Sequence, residues 1–159
     1  MIDTPSLTPL PAFDLQAWQD RQAREAKQAA QILPGNKAVL FDALAAAGIA
    51  VVTVVFDGYG DSGQIEDIEA KTGDLVIALP PDQIDIAAVD WGSDKAQTIT
   101  MSIRQAIETL VYAFLEQTHC GWEDNDGAYG DFTFSVADRT ISLNYNERYT
   151  SSENFTHEF

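Results

Sequence analysis

Apolar residues recur along this chain at distinct spacings, and each spacing predicts an element. From about Asp94 to Thr118, Ile99, Ile103, Ala106, Ile107, Leu110, Val111, Phe114 and Leu115 fall at three- and four-residue steps with Glu108, Glu116 and Gln117 opposite. That period predicts an amphipathic core helix, closed by Gly121. Phe132, Phe134 and Val136 alternate opposite Ile141, Leu143 and Tyr145 across Ala137-Asp138, the pattern of a hairpin with one apolar face. Ile49 to Phe56 is β-branched and continuous, which predicts a central strand covered on both faces. Gln64 to Lys71 places Ile65 and Ile68 among acids, predicting a strand with one wet face and a bulge. Leu75 to Leu79 predicts a further strand before Pro80-Pro81, whereas Asp82 to Trp91 fits a short strand or an irregular excursion equally well.

The N-terminal region reads differently. Pro5, Pro9 and Pro11 deny backbone donors, so residues 1–13 are expected to be an extended arm. Asp14 is an N-cap for a helix from Leu15 to Leu33, with a thin stripe of Trp18, Ala23, Ala26, Ala30 and Leu33, and Pro34-Gly35-Asn36 is expected to stop it. Asn36 then caps a shorter helix through Val39, Leu40, Ala43, Leu44 and Ala47, ended by Gly48. The order implies an α+β fold: one domain over residues 14–148, with a largely antiparallel sheet packed against a long amphipathic helix, N-terminal helices, and a tail over 149–159.

Composition narrows the setting. A chain of 159 residues with 45% hydrophobic content can fill one core without disulfides. No apolar run approaches the roughly 20 residues that cross a bilayer, and no basic-then-apolar leader opens the chain, so a soluble cytoplasmic protein without a membrane partner is expected. The single cysteine, Cys120, has no internal disulfide partner and suits a reducing compartment, which makes the Asn154-Phe155-Thr156 sequon an accident. The formal net charge is −16, which disfavours direct binding to nucleic acid. The charge is uneven: residues 1–37 balance four acids with four bases, while residues 38–138 hold eighteen acids against Lys71, Lys95 and Arg104. A solvated surface explains this in the plainest way, and a surface built to meet a basic partner explains it more sharply. The sharper reading requires the surplus to gather on one side.

Two glycine-acid segments carry the candidate chemistry. Asp57-Gly58-Tyr59-Gly60-Asp61-Ser62-Gly63, followed by Glu66, Asp67 and Glu69, is expected to be a turn or bulged loop rich in oxygen donors. Its register excludes an EF-hand, because setting Gly63, Ile65 and Glu69 at loop positions 6, 8 and 12 puts Gly58, Gly60 and Ser62 where carboxylates are needed. The second segment is Gly121-Trp122-Glu123-Asp124-Asn125-Asp126-Gly127-Ala128-Tyr129-Gly130-Asp131. Were the two to meet in the fold, Asp57, Asp61, Glu66, Glu123 and Asp126 would offer a Ca²⁺ or Mg²⁺ site able to support hydrolysis through an activated water. His119-Cys120 does not read as a catalytic pair, since adjacent residues diverge and a helix C-terminus does not lower a thiol pKa; Cys120 reads as structural. No phosphate loop, dinucleotide fingerprint, HExxH, CxxC or nucleophile elbow occurs. Trp18, Tyr149 and Phe155 are expected to be exposed aromatics.

Asp57–Glu66, Gly121–Phe132 and Leu143–Arg148 together resemble an uncharacterised family of small acidic bacterial proteins, often from plasmids and phages. The resemblance covers roughly Phe41 to Phe159 and implies that both segments belong to one domain. It carries over no catalytic residue and no cofactor. The expected function is a non-enzymatic acidic interaction protein that presents Asp57, Tyr59, Asp61, Glu66, Asp67, Trp122, Glu123, Asp124, Asp126 and Tyr129 to a basic protein surface. Its sharpest form is a nucleic-acid-mimicking inhibitor from a mobile element, of the anti-CRISPR kind, acting on a nucleic-acid-binding protein. The alternative is a divalent-metal-dependent hydrolase or metal-binding module.

Overall fold

The computed structural model describes residues 13–89 and 95–159. The expected arm therefore lies outside the described residues, as do Trp91 and the proposed helix start at Asp94. In chain order the elements are α1 (Leu15–Ala46), β1 (Val51–Tyr59), β2 (Ser62–Thr72), β3 (Leu75–Ile77), β4 (Gln83–Val89), β5 (Ala96–Ser102), α2 (Ile103–Thr118), β6 (Ala128–Ser135) and β7 (Thr140–Glu147). Five strands form one sheet in the order β3-β2-β1-β6-β7, and β4 pairs with β5 in a separate two-stranded sheet. All the pairings are antiparallel. This is the α+β single domain that the apolar spacings imply.

Three elements depart from the expectation. The two N-terminal helices are one helix of 32 residues with Pro34 inside it. Proline in a helix interior costs about 3 kcal/mol. The helix continues because Leu40, Phe41 and Leu44 are buried beyond the proline, and Leu33 is buried just before it. Asn36 does not cap: its Nδ2 donates to Ala87 O at 2.9 Å and its Oδ1 accepts from Ala87 N at 2.8 Å. It pins α1 to β4. The second departure is at α2, which starts at Ile103, with Ala96–Ser102 a strand. Ser102 and Gln105 form a reciprocal capping box there, so the preceding residues are free to pair with β4. The third is β1, central as expected but covered on one face only. Val52, Val54 and Phe56 are buried, while Val55 between them is 39% exposed.

The buried face of the sheet adds Ile68 and Ala70 from β2 and Phe132 and Phe134 from β6. Phe41 of α1 meets Phe134, and Phe114 of α2 meets Phe132, so both helices lie on this side. Burying each such side chain contributes about 1.5–3 kcal/mol. The expected bulge is present: Phe56 faces Ile65 but Val55 faces Asp67, leaving Glu66 as the extra residue. The hairpin of β6 and β7 has the expected register, with Phe132 opposite Leu143 and Phe134 opposite Ile141.

Candidate functional site

The first glycine-acid segment is not a loop. β1 runs to Tyr59, β2 begins at Ser62, and only Gly60 and Asp61 turn. Both have positive φ, 57° and 65°, the requirement of a type I′ hairpin turn. One step back, Gly58 lies opposite Gly63. A Cβ on either glycine would overlap the Trp122 indole, so this pair forms the seat for the ring. Trp122 is 7% exposed and meets Phe56 edge-on, with ring centroids 5.5 Å apart. It is a core residue beneath the hairpin, which removes it from the surface expected to contact a partner.

With its indole seated, the second segment wraps the hairpin tip. Its backbone turns tightly through Gly121 (φ 81°), Asn125 (φ 58°) and Gly127 (φ 76°). Gly60 N donates to Asn125 O and Asp61 N to Glu123 O, each at 3.0 Å. The two segments therefore meet, which is the approach that a shared divalent-metal site would need and which also brings their acids to one end of the sheet. Arg148, just past β7, ties them to the sheet. Its backbone N–H donates to Gly127 O at 2.9 Å, its Nη1 donates to Gly58 O at 3.2 Å, and its guanidinium lies 4.5 Å from the Tyr129 ring centroid. Nη1 is also 2.8 Å from Asp57 Oδ1. That contact is ionic rather than an aligned hydrogen bond, since Oδ1 is buried without one. Asp126 accepts from Thr150 Oγ1 at 2.7 Å. Between them opens a cleft of about 580 Å³ lined by Asp57, Tyr59, Asn125, Asp126, Arg148 and Tyr149. Tyr59 and Tyr149 stand 71% and 84% exposed at it. Arg148 was not among the expected site residues. A lone base beginning the segment after β7 is the signal that marks it.

The electrostatics at the tip are repulsive. Partial desolvation, then the charges of Glu123 and Asp61 and a hydrogen bond with Asp61, raise the Asp124 carboxyl above its ordinary value. A raised folded-state pKa contributes stability that is fully present below the ordinary carboxyl range and is lost as pH rises through the folded value. Asp124→Asn, neutral at every pH, should therefore flatten the change in urea midpoint across the acid range and be no less stable than the parent at pH 7. A variant that is less stable at pH 7 with an unchanged acid slope would contradict this. Nearby, burial and then Glu147 and Glu123 raise the Tyr145 hydroxyl. Glu123 Oε2 is buried without a hydrogen bond. Cys120 is exposed, so it does not pack as a structural residue, and its Sγ donates to Glu116 Oε1 at 3.1 Å. That hydrogen bond is the main reason its thiol pKa is raised, which disfavours the reactive thiolate. His119 is engaged elsewhere, stacked on Tyr145 at 3.6 Å.

The remaining expected residues follow from register. The outer, wet face of the sheet carries Asp57 beside Tyr129, and Val55 flanked by Asp67 and Asp131. Asp67 thus shares the face of Asp57 and Tyr129, while Glu66 sits at the bulge paired with Gln64. The acidic surplus is not confined to this side, so the one-sided gathering expected of a partner-capturing surface is not what the fold shows; the meeting of the two segments is what remains in favour of that reading. Glu108 and Glu116 lie on α2, Asp82 and Asp85 at β4, Asp42 on α1, and Asp74 and Asp138 in turns. Asp42 pairs with Arg139. Among the described residues no group of three or more His, Cys, Asp or Glu side chains is placed to hold a metal ion. Trp18, Tyr149 and Phe155 are exposed as expected. No described helix is long and apolar enough to cross a membrane.

Residues 32–159 match a family of unknown function, DUF6878, and the chain belongs to that family. The match begins inside α1, ahead of the Phe41 boundary of the sequence resemblance, and includes the whole site. No curated protein and no solved structure gives a significant match.

Proposed function

We propose that the protein is a non-enzymatic binding module that captures a basic surface on a partner protein with the hairpin end and outer face of its sheet. One observation carries the reading: backbone hydrogen bonds from Gly60 and Asp61 fuse the hairpin tip to the 121–127 turn. Asp61, Asp124 and Asp126 are thereby held on one rigid unit, with Tyr59, Tyr129 and Tyr149 exposed around them. Preorganised carboxylates lose little side-chain freedom on meeting arginine or lysine, and flanking tyrosines add cation–π and apolar contact. Competition with nucleic acid for a basic groove is the finer form of this function, and carriage by plasmids or phages is the setting in which an inhibitor of that kind acts.

A nine-arginine peptide is a suitable probe. Calorimetry at 20 mM NaCl should detect binding that weakens at least about tenfold by 300 mM, because exposed ion pairs are screened. Asp61→Asn, Asp124→Asn and Asp126→Asn combined should remove most of it. Glu25→Gln, Glu108→Gln and Glu153→Gln combined change the net charge equally and should not. Equal weakening by both triples, or no binding at 20 mM, would refute the proposal.

A further inference from the structure

The two edges of the five-stranded sheet are built differently. On the β2 side the outer strand is three residues long, the bulge interrupts pairing at Glu66, acids stand at Glu66, Asp67 and Glu69, and the Tyr112 hydroxyl accepts the Ile65 N–H at 3.2 Å. Short strands, bulges, charges and capping groups are the devices that keep an edge from pairing with another chain. β7 has none of them. Thr-Ile-Ser-Leu-Asn-Tyr-Asn-Glu runs for eight residues without proline, bulge or internal charge. Among the described residues, no backbone hydrogen bond outside the β6 ladder reaches 140–147.

The direction of its backbone groups follows from the ladder. Arg148 N–H bonds Gly127 O, so that pair is hydrogen-bonded, and antiparallel pairs alternate. Thr140, Ser142, Asn144 and Asn146 therefore bond to β6, while Ile141, Leu143, Tyr145 and Glu147 aim their N–H and C=O groups outward. Those same four residues project their side chains on the core side of the sheet, where Ile141 and Leu143 line an apolar cleft of about 240 Å³ with Phe114 and Phe132.

We infer that β7 pairs antiparallel with β7 of a second copy about a two-fold axis through Leu143. This register sets Leu143 against Leu143, Ile141 against Tyr145 and Arg139 against Glu147, twice each across the axis where the residues differ. The outward backbone groups of Ile141, Leu143 and Tyr145 then meet outward groups of the second copy, forming on the order of six hydrogen bonds. The apolar lining continues from one copy into the other. Charge favours this occupant: the strand is neutral within, and at its ends the half-exposed guanidinium of Arg139, held by Asp42 through Nη2, stands opposite Glu147, so a second copy brings no like charge against the strand despite the net charge of −16. The surface is distinct from the acidic tip.

Sedimentation equilibrium of the full chain should show a species of twice 17.4 kDa that dissociates on dilution. Ser142 and Asn144 face solvent and would sit opposite one another across the axis. Ser142→Lys with Asn144→Lys puts like charges in both pairs and should weaken dimerisation at least about tenfold. Ser142→Lys with Asn144→Glu puts opposite charges there and should restore it. Circular dichroism checks that each variant folds. A chain monomeric up to several hundred micromolar overturns the inference and leaves the edge to a foreign strand. A dimer indifferent to both variants also overturns it, locating self-association on another surface.

Discussion

Replacing Gly127 with alanine is expected to lower stability by at least about 3 kcal/mol, from a residue forced into left-handed backbone and a methyl driven into main chain. Gly127 has φ +76°, and a Cβ there would overlap the Gly58 carbonyl and crowd Tyr59 Cα. Neither neighbour can swing aside, because both belong to β1 inside the ladder. Gly73 supplies the internal control: its φ is +60°, yet nothing lies within 4 Å of its Cβ position. Gly73→Ala should therefore cost only the backbone part, about 1–2 kcal/mol. Urea unfolding followed by tryptophan fluorescence measures both. Equal costs would show that the 121–127 turn can lift off the hairpin, and the fused tip would lose its basis.

Trp122→Ala should cost about 3–5 kcal/mol, the usual range for removing a buried large aromatic. The diagnostic part is its coupling to glycine. In the parent, Gly63→Ala should be strongly destabilising, because its methyl enters the indole; with Trp122 already removed, the same change should cost far less. A double-mutant cycle measures that non-additivity, expected in the range of about 1–3 kcal/mol for groups in direct contact. Additive effects would mean that the ring does not occupy the seat between Gly58 and Gly63.

These two cases mark where the sequence was legible. The β6–β7 hairpin, the C-terminal two-thirds of the core helix and the bulge in β2 all follow from spacing, because their burial is set by local period. Pro34 misleads since its penalty is local whereas the burial of Leu40, Phe41 and Leu44 is tertiary. Ile99 fits the helical period by coincidence of spacing; Ser102 followed by Gln105 is the capping signal that marks the true start. At the site, the meeting of the two acidic segments is a long-range event that no window of sequence contains. The role of Trp122 was nonetheless written in the chain. A tryptophan beside four acids resembles a surface anchor, but two glycines placed to face each other across a hairpin signal a bulky side chain lying over them. The positioning role of Arg148 is not legible in sequence, because its partners, Asp57, Gly58 and Tyr129, are strung along two other strands.

The unpaired residue in β2 also governs what changes of length the hairpin can absorb. Ile65 and Ile68 are three apart, yet both face inward, because Glu66 shifts the alternation between them. Excising Glu66 alone would leave Ile65 opposite Phe56 and Asp67 opposite Val55, so every remaining side chain would keep its orientation. Excising Gln64 instead would let the strand heal only by moving Ile65 into water and a carboxylate against Phe56. Position 66 is thus a spacer: its main chain sets the reading frame of the tip, whatever side chain it carries.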